Sequence, residues 1–277
     1  MFEYDAQAPL DMEELSPPQD RDGVTVRDIA YTSPRGGKVT AYLVVPTGNS
    51  GPFAGVLFLH PGQWDRSCFL DEAIAFAQLG AVALSIDGPN KRPPEFALHY
   101  PRTAEGYRAR WSQTIVDLQR SLDLLTSRPD VDAGRIGYVG HSFGATLGGV
   151  LAGIEKRVKG YVLMAGLAAH SEWWRTSESE YATRFRERRT AEQLTELIET
   201  MSVIDAIHFI GDAVPAALLF QYGRRDEFIS EEDALQYFQA ASEPKEIRWY
   251  DTDHFFNEQA RQDRIAWLSE RLGMRST

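Results

Sequence analysis

Apolar residues along this chain fall into two alternating rhythms, short continuous runs and longer stretches at helical spacing. VTVRDIAYTS (24–33) and GKVTAYLVVP (37–46) are rich in β-branched residues and flank Pro34-Arg35-Gly36-Gly37, which predicts an antiparallel hairpin. FAGVLFLH (53–60) is apolar throughout, as a central strand buried on both faces must be. CFLDEAIAFAQLG (68–80) returns to helical spacing through Phe69, Ala73, Phe76 and Ala77 and stops at Gly80. AVALSIDG (81–88) is again a buried strand, and Tyr107 to Arg128 carries the helical stripe Trp111, Ile115, Leu118, Leu122, Leu125. RIGYVGHS (135–142), VKGYVLMAGL (158–167), AALLFQYGRRD (216–226) and KEIRWYDTDH (245–254) read as strands, separated by helical GATLGGVLAGI (144–154) and EEDALQYFQAA (231–241) and followed by helical NEQARQDRIAWLSERLG (257–273). Strands spaced by helices of this length predict an α/β class with a mostly parallel, eight-stranded sheet and helices on both faces.

Two segments depart from the rhythm. Residues 1–22 are polar, acidic and proline-bearing, an arm expected over the surface of a single domain spanning 23–277. Residues 168–212 have helical spacing and many charges but no strand, which predicts a small helical cap inserted over the strand ends.

Composition narrows the function. The chain has 277 residues, enough for one sizeable core, and a formal net charge of -11 from 40 acidic and 29 basic residues. That charge argues against a nucleic-acid partner and against attraction to an anionic membrane. The opening MFEYDAQAPLDMEELSPPQD has no basic segment followed by an apolar run, and no stretch approaches the length of a transmembrane helix. Cys68 is the one cysteine, so neither a disulfide framework nor a multi-cysteine metal site is expected. The expectation is a cytoplasmic protein with no metal and no cofactor, acting on a small molecule. Oligomeric state is open, a homodimer included.

The sharpest chemical signal is Gly140-His141-Ser142-Phe143-Gly144. As a pattern, G-x-S-x-G is weak, but here an apolar strand runs into it and a helix leaves it, the strand–turn–helix setting of a nucleophile elbow. Glycines two positions either side of the serine permit the close approach of strand and helix, and Ser142 would stand exposed at a helix N-terminus. The bland alternative is a glycine-rich turn with a capping serine.

A serine hydroxyl needs a base. Of six histidines, His254 stands just past the final strand, at the sheet edge shared with Ser142, whereas His141 should point away from Ser142, its neighbour in sequence. The orienting acid should fall between the two, and Asp226, immediately after the strand AALLFQYG, fits. Glu227 is its rival, and Asp251 and Asp253 read as strand-end solvation. An oxyanion would be held by the Phe143 N–H and by a second donor after the strand FAGVLFLH, where Pro61 has no N–H and Gly62 or Gln63 remains.

Weaker candidates wall the pocket: Trp64, Phe96 in the stiff loop 91–102, which reads equally as a surface crossover, and Trp173 with Trp174 in the cap, which read first as the cap's own core. Arg184, Arg186, Arg188 and Arg189 among glutamates read mainly as a solvated, ion-paired helix. Cys68 reads as a small packed side chain.

The stretches LHPG (59–62), VDAGRIGYVGHSFGA (131–145), QYGRRDEFI (221–229) and DTDHFF (251–256) resemble the α/β-hydrolase superfamily, in particular its dienelactone hydrolase-like, acetyl xylan esterase-like and prolyl oligopeptidase-like branches. In order and spacing the resemblance covers about residues 24–272. It implies an α/β-hydrolase fold, Ser142 as nucleophile, Asp226 as acid, His254 as base, and oxyanion donors at Phe143 and near Gly62. Dienelactone hydrolases proper hold cysteine where this elbow holds Ser142. The expected activity is hydrolysis of a small-molecule carboxylic ester through an acyl-enzyme. The alternatives are acyl transfer, thioester or amide cleavage by the same triad, or a non-catalytic binding role.

Overall fold

A computed structural model describes residues 1–48 and 51–274. In chain order the strands are β1 (Glu13–Glu14), β2 (Gln19–Arg21), β3 (Val24–Thr32), β4 (Lys38–Pro46), β5 (Phe53–Leu59), β6 (Ala81–Ile86), β7 (Val131–His141), β8 (Val158–Met164), β9 (Ala217–Gly223) and β10 (Lys245–Tyr250). The helices are α1 (Leu70–Gln78), α2 (Ala104–Ser127), α3 (Phe143–Ile154), α4 (His170–Thr176), α5 (Glu180–Glu187), α6 (Ala191–Ser202), α7 (Glu231–Ala240) and α8 (Glu258–Arg271).

The strands form one sheet in the order β1-β3-β4-β6-β5-β7-β8-β9-β10, with β2 also on the free edge of β3. From β6 to β10 every pairing is parallel, and β3 and β4 join antiparallel. The sequence predicted eight strands, and the structure has ten among the described residues. The two extra strands come from the segment expected to be a plain arm: Glu13 and Glu14 pair with Ala30 and Ile29, and Gln19–Arg21 with Val26–Val24. Both are short, exposed and polar, so no apolar pattern marks them. Their acidic side chains also blunt an edge that would otherwise offer free backbone groups.

β5 shows why the centre of the sheet needs two cores. Phe53, Leu57 and Leu59 face one side, packing with Trp111, Leu118 and Leu147 of α2 and α3. Ala54, Val56 and Phe58 face the other, with Phe69 and with Phe76 and Leu268 of α1 and α8. Each alternate side chain is therefore buried, which the unbroken apolar run requires.

Between β8 and β9, which pair directly, the chain makes α4, α5, α6 and two short 3-10 turns. α6 begins with a capping box, Thr190 and Gln193 satisfying each other's backbone N–H groups, and buries Leu197, Ile198 and Met201. Among the described residues no helix is long and apolar enough to cross a membrane.

Candidate active site

Ser142 occupies the turn between β7 and α3 with φ 54° and ψ −107°, a backbone conformation unfavourable for any side chain-bearing residue. The surroundings enforce it. A Cβ on Gly140 would lie 2.5 Å from the Gly144 backbone, and one on Gly144 would lie 2.1 Å from the Leu59 carbonyl oxygen. The Ser142 N–H donates to the Met164 carbonyl at 2.7 Å, tying the turn to the next strand. Ser142 Oγ makes no hydrogen bond among the described residues, a common state of a serine hydroxyl before substrate arrives.

His254 follows β10 and Asp226 follows β9, neighbouring parallel strands whose C-terminal ends emerge together. His254 Nδ1 lies 2.8 Å from Asp226 Oδ2, with both side chains buried. Asp226 Oδ1 accepts from the Phe228 and Ile229 N–H groups at 2.8 and 3.1 Å, which fixes the carboxylate and leaves Oδ2 for the imidazole. The rival acids lie elsewhere: Glu227 is exposed, Asp251 pairs with Arg225 at 3.1 Å, and Asp253 accepts from the Phe255 N–H at 2.9 Å.

His141 turns away from Ser142, as the elbow geometry requires, and takes a position the sequence did not suggest. Its Nε2–H donates to the His254 carbonyl at 2.8 Å, and the two rings lie 5.0 Å apart. Burial, and secondarily the neighbouring His254, holds His141 well below the usual histidine range, so it is a neutral donor. It clamps the loop bearing one candidate catalytic group onto the turn bearing the other.

The loop after β5 brings the expected oxyanion donors to Phe143. A Cβ on Gly62 would lie 3.8 Å from Phe143 Cβ. The N–H groups of Phe143, Gly62 and Gln63 have no acceptor among the described residues. The loop is held by His60: the Gly88 N–H donates to its Nε2 at 2.9 Å, so Nδ1 carries the proton and donates to the Pro61 carbonyl at 2.7 Å. Burial lowers the His60 pKa and favours this neutral tautomer.

The pocket candidates divide. Trp64 (49% exposed) faces Phe255 (50% exposed) at 6.3 Å, an aromatic pair joining the loop after β5 to the residue after His254. Trp173 and Trp174 are buried, 5.1 Å apart, packed among the rings of the inserted helices. Rings run from Phe143 to Trp111 (5.3 Å), His170 (4.5 Å) and Trp173 (6.1 Å), whose indole N–H donates to the Phe228 carbonyl at 3.0 Å, and Phe228 edges His254 at 4.8 Å. His170, Phe228 and Phe255 were missed from sequence, although their aromatic character and closeness to the cap and to Asp226 and His254 were there to be read. His170 Nδ1 is sealed from solvent without a partner, and burial pushes its pKa down to about 3.

Phe96 sits against the β3–β4 turn, under Lys38 at 5.9 Å, with its carbonyl accepting from the Lys38 N–H at 3.1 Å. The loop 91–102 is anchored to α2 where Arg92 pairs with buried Asp117 and Tyr100 donates to Gln113. Cys68 lies outside the site, its thiol pushed up to about 11 chiefly by burial.

Comparison with known proteins agrees with this architecture. The acetyl xylan esterase (AXE1) family model matches residues 5–271. The chain is 31% identical over 142 residues to putative hydrolase YtaP of Bacillus subtilis, covering 44% of this chain and 46% of that protein. It is 24% identical over 265 residues to esterase FrsA of Shigella boydii, covering 90% of this chain and 60% of that one. The chain thus spans less than two thirds of the length of these curated relatives. The solved acetyl xylan esterase from Paenibacillus sp. R4 superposes with a TM-score of 0.80 at 22% identity, covering 95% of this chain and 90% of that one, a likeness of fold. The fold is that of the α/β-hydrolases.

Proposed function

The chain belongs to the acetyl xylan esterase family, and from that premise we propose that it is a serine hydrolase of small-molecule carboxylic esters. The observation that carries the reading is the buried His254–Asp226 hydrogen bond at 2.8 Å, tied through His141 to the strained strand–helix turn that bears Ser142. His254 Nε2 takes the proton of Ser142 Oγ as the oxygen attacks the ester carbonyl. Asp226 accepts the Nδ1–H, fixes the ring's orientation and stabilises the imidazolium. The carbonyl oxygen becomes an oxyanion facing the Phe143 N–H and that of Gly62 or Gln63, each such donor contributing about 3–4 kcal/mol to the barrier reduction. Collapse expels the alkoxide, which leaves as the alcohol with the imidazolium proton. Water, deprotonated by His254, then attacks the acyl-serine and releases the carboxylic acid. A cytoplasmic location and the absence of a nucleic-acid or membrane partner belong to the same proposal, supported by the acidic composition and single cysteine.

Ser142→Ala tests it directly. Turnover of p-nitrophenyl acetate should fall by about 10³-fold or more and fluorophosphonate labelling should vanish. Labelling that persists on the folded variant would remove Ser142 from the mechanism.

A further inference from the structure

The loop after β5 has little scaffold of its own. Between His60 and Arg66, one backbone hydrogen bond among the described residues closes within it, from the Trp64 N–H to the Pro61 carbonyl at 3.1 Å. The N–H groups of Gly62 and Gln63, the candidate partners of the Phe143 N–H, lie in this stretch. A donor that is to meet a developing charge has to be aimed before the charge appears. The aim must therefore come from outside the loop.

One short turn supplies it. The turn follows β6, runs from Asp87 to Lys91, and is closed by the Lys91 N–H donating to the Gly88 carbonyl at 2.9 Å. It meets the loop at its start, middle and end. At the start, the Gly88 N–H donates to His60 Nε2 at 2.9 Å. In the middle, the Lys91 ammonium donates to the Gln63 carbonyl at 2.6 Å. At the end, Asp87 Oδ1 accepts from the Arg66 N–H at 2.7 Å, and Oδ2 pairs with the Arg66 guanidinium. The same turn touches the elbow: a Cβ on Gly88 would lie 3.5 Å from the Phe143 ring and 3.6 Å from the His60 ring.

The turn is itself firmly seated. Asp87 is buried, its N–H donates to the Thr40 carbonyl at 2.9 Å, and its carboxylate accepts from the Thr40 hydroxyl. Arg66 reaches on to Asp28 of β3 at 2.9 and 3.1 Å, and its carbonyl accepts from the Ser85 hydroxyl at 2.8 Å. Buried ion pairs lose most of their attraction to desolvation and add little net stability, so what these contacts supply is direction. We propose that Asp87 and Lys91 are positioning residues, which hold the loop after β5 so that its N–H groups point, with that of Phe143, at the oxygen of the attacked carbonyl. Lys91 acts through the Gln63 carbonyl and Asp87 through Arg66. Neither touches the substrate.

The inference rests on the esterase reading, so its test includes a readout independent of turnover. NMR order parameters of the Gly62 and Gln63 amides should lie near the rigid value of about 0.85 in the parent and fall toward about 0.6 in Lys91→Met, with those of β5 unchanged. In that variant kcat for p-nitrophenyl acetate should fall about 3- to 10-fold while KM stays within about twofold, and Asp87→Asn should lose about 10- to 100-fold in kcat. Inhibition by a trifluoromethyl ketone, whose adduct with Ser142 carries the same oxyanion, should weaken in proportion to kcat/KM. Lys91→Arg still offers a donor to Gln63 and should recover most of each loss. Unchanged order parameters in Lys91→Met, or a rise in KM at constant kcat, overturns the assignment. This surface variant decides the matter even where Asp87→Asn does not fold. Failure of the parent to cleave any ester defeats the esterase reading, while the order parameters still decide whether the turn holds the loop.

Discussion

At the strand ends, the candidate machinery is held by directional hydrogen bonds, whereas the insertion facing it is held by stacked rings and cation–ring contacts. Asp226 is fixed by two backbone N–H groups, His254 by Asp226 and by His141, and the loop after β5 by His60. Across from them, Trp174 stacks on Phe185 at 3.7 Å, Arg189 lies over Phe185 at 3.4 Å, and His170 rests among Trp111, Trp173 and Trp174 with a nitrogen unpaired. Hydrogen bonds tolerate little displacement, while ring packing accepts several geometries of similar energy. One region is therefore suited to fixing a reaction and the other to fixing what is admitted to it.

Breaking the hydrogen-bonded side should have the larger effect. Asp226→Asn keeps the shape but presents an amide to Nδ1, which disfavours the tautomer that leaves Nε2 free as a base. kcat should fall about 10⁴-fold, or roughly 5 kcal/mol of barrier, with little change in thermal unfolding. A variant within tenfold of the parent would mean that the bond at 2.8 Å does not orient the base.

Trp173→Ala probes the packed side. It removes an indole that contacts His170 and Trp174 and donates to the Phe228 carbonyl. A loss of about 3–5 kcal/mol in urea unfolding is expected, as for other buried large-to-small changes. A cost below about 1 kcal/mol would instead describe a cap lying loosely on the domain.

The same contrast explains what could be read from sequence. The buried strands and the long amphipathic helix announce themselves because each apolar position has one available partner surface. The candidates Ser142, Asp226 and His254 could be picked out because a parallel sheet delivers successive strand ends to one edge, so position along the chain stands in for position in space. The exposed segments Glu13–Glu14 and Gln19–Arg21 join the sheet through backbone and surface polar contacts, leaving no apolar pattern. The seat of Phe96 against Lys38 could not be read because it is a tertiary contact that local composition does not encode. The clamp from His141 to the His254 carbonyl was invisible for the same reason.

Acid sharpens the comparison with the smallest step. His60, His141 and His170 all have pKa values lowered chiefly by burial, so the unfolded chain binds protons that the folded one refuses. Their stabilising contribution is complete above the unfolded histidine value of about 6.5 and drains away as pH falls below it, by at most about 1.4 kcal/mol per pH unit for each group. For His170 the loss continues toward about 3, and the partly open edge of its ring lets water moderate it, so about 1 kcal/mol per unit is expected. Because His170 makes no hydrogen bond through its sealed nitrogen, His170→Phe removes the titration and leaves a ring among rings. Calorimetric unfolding at pH 7.5, 6 and 5 should show the variant losing stability less steeply than the parent, the two curves diverging only below about 6.5. Parallel curves would place the acid sensitivity at the strand ends, where protonating His60 breaks the bond from Gly88 and protonating His141 puts a positive ring against His254.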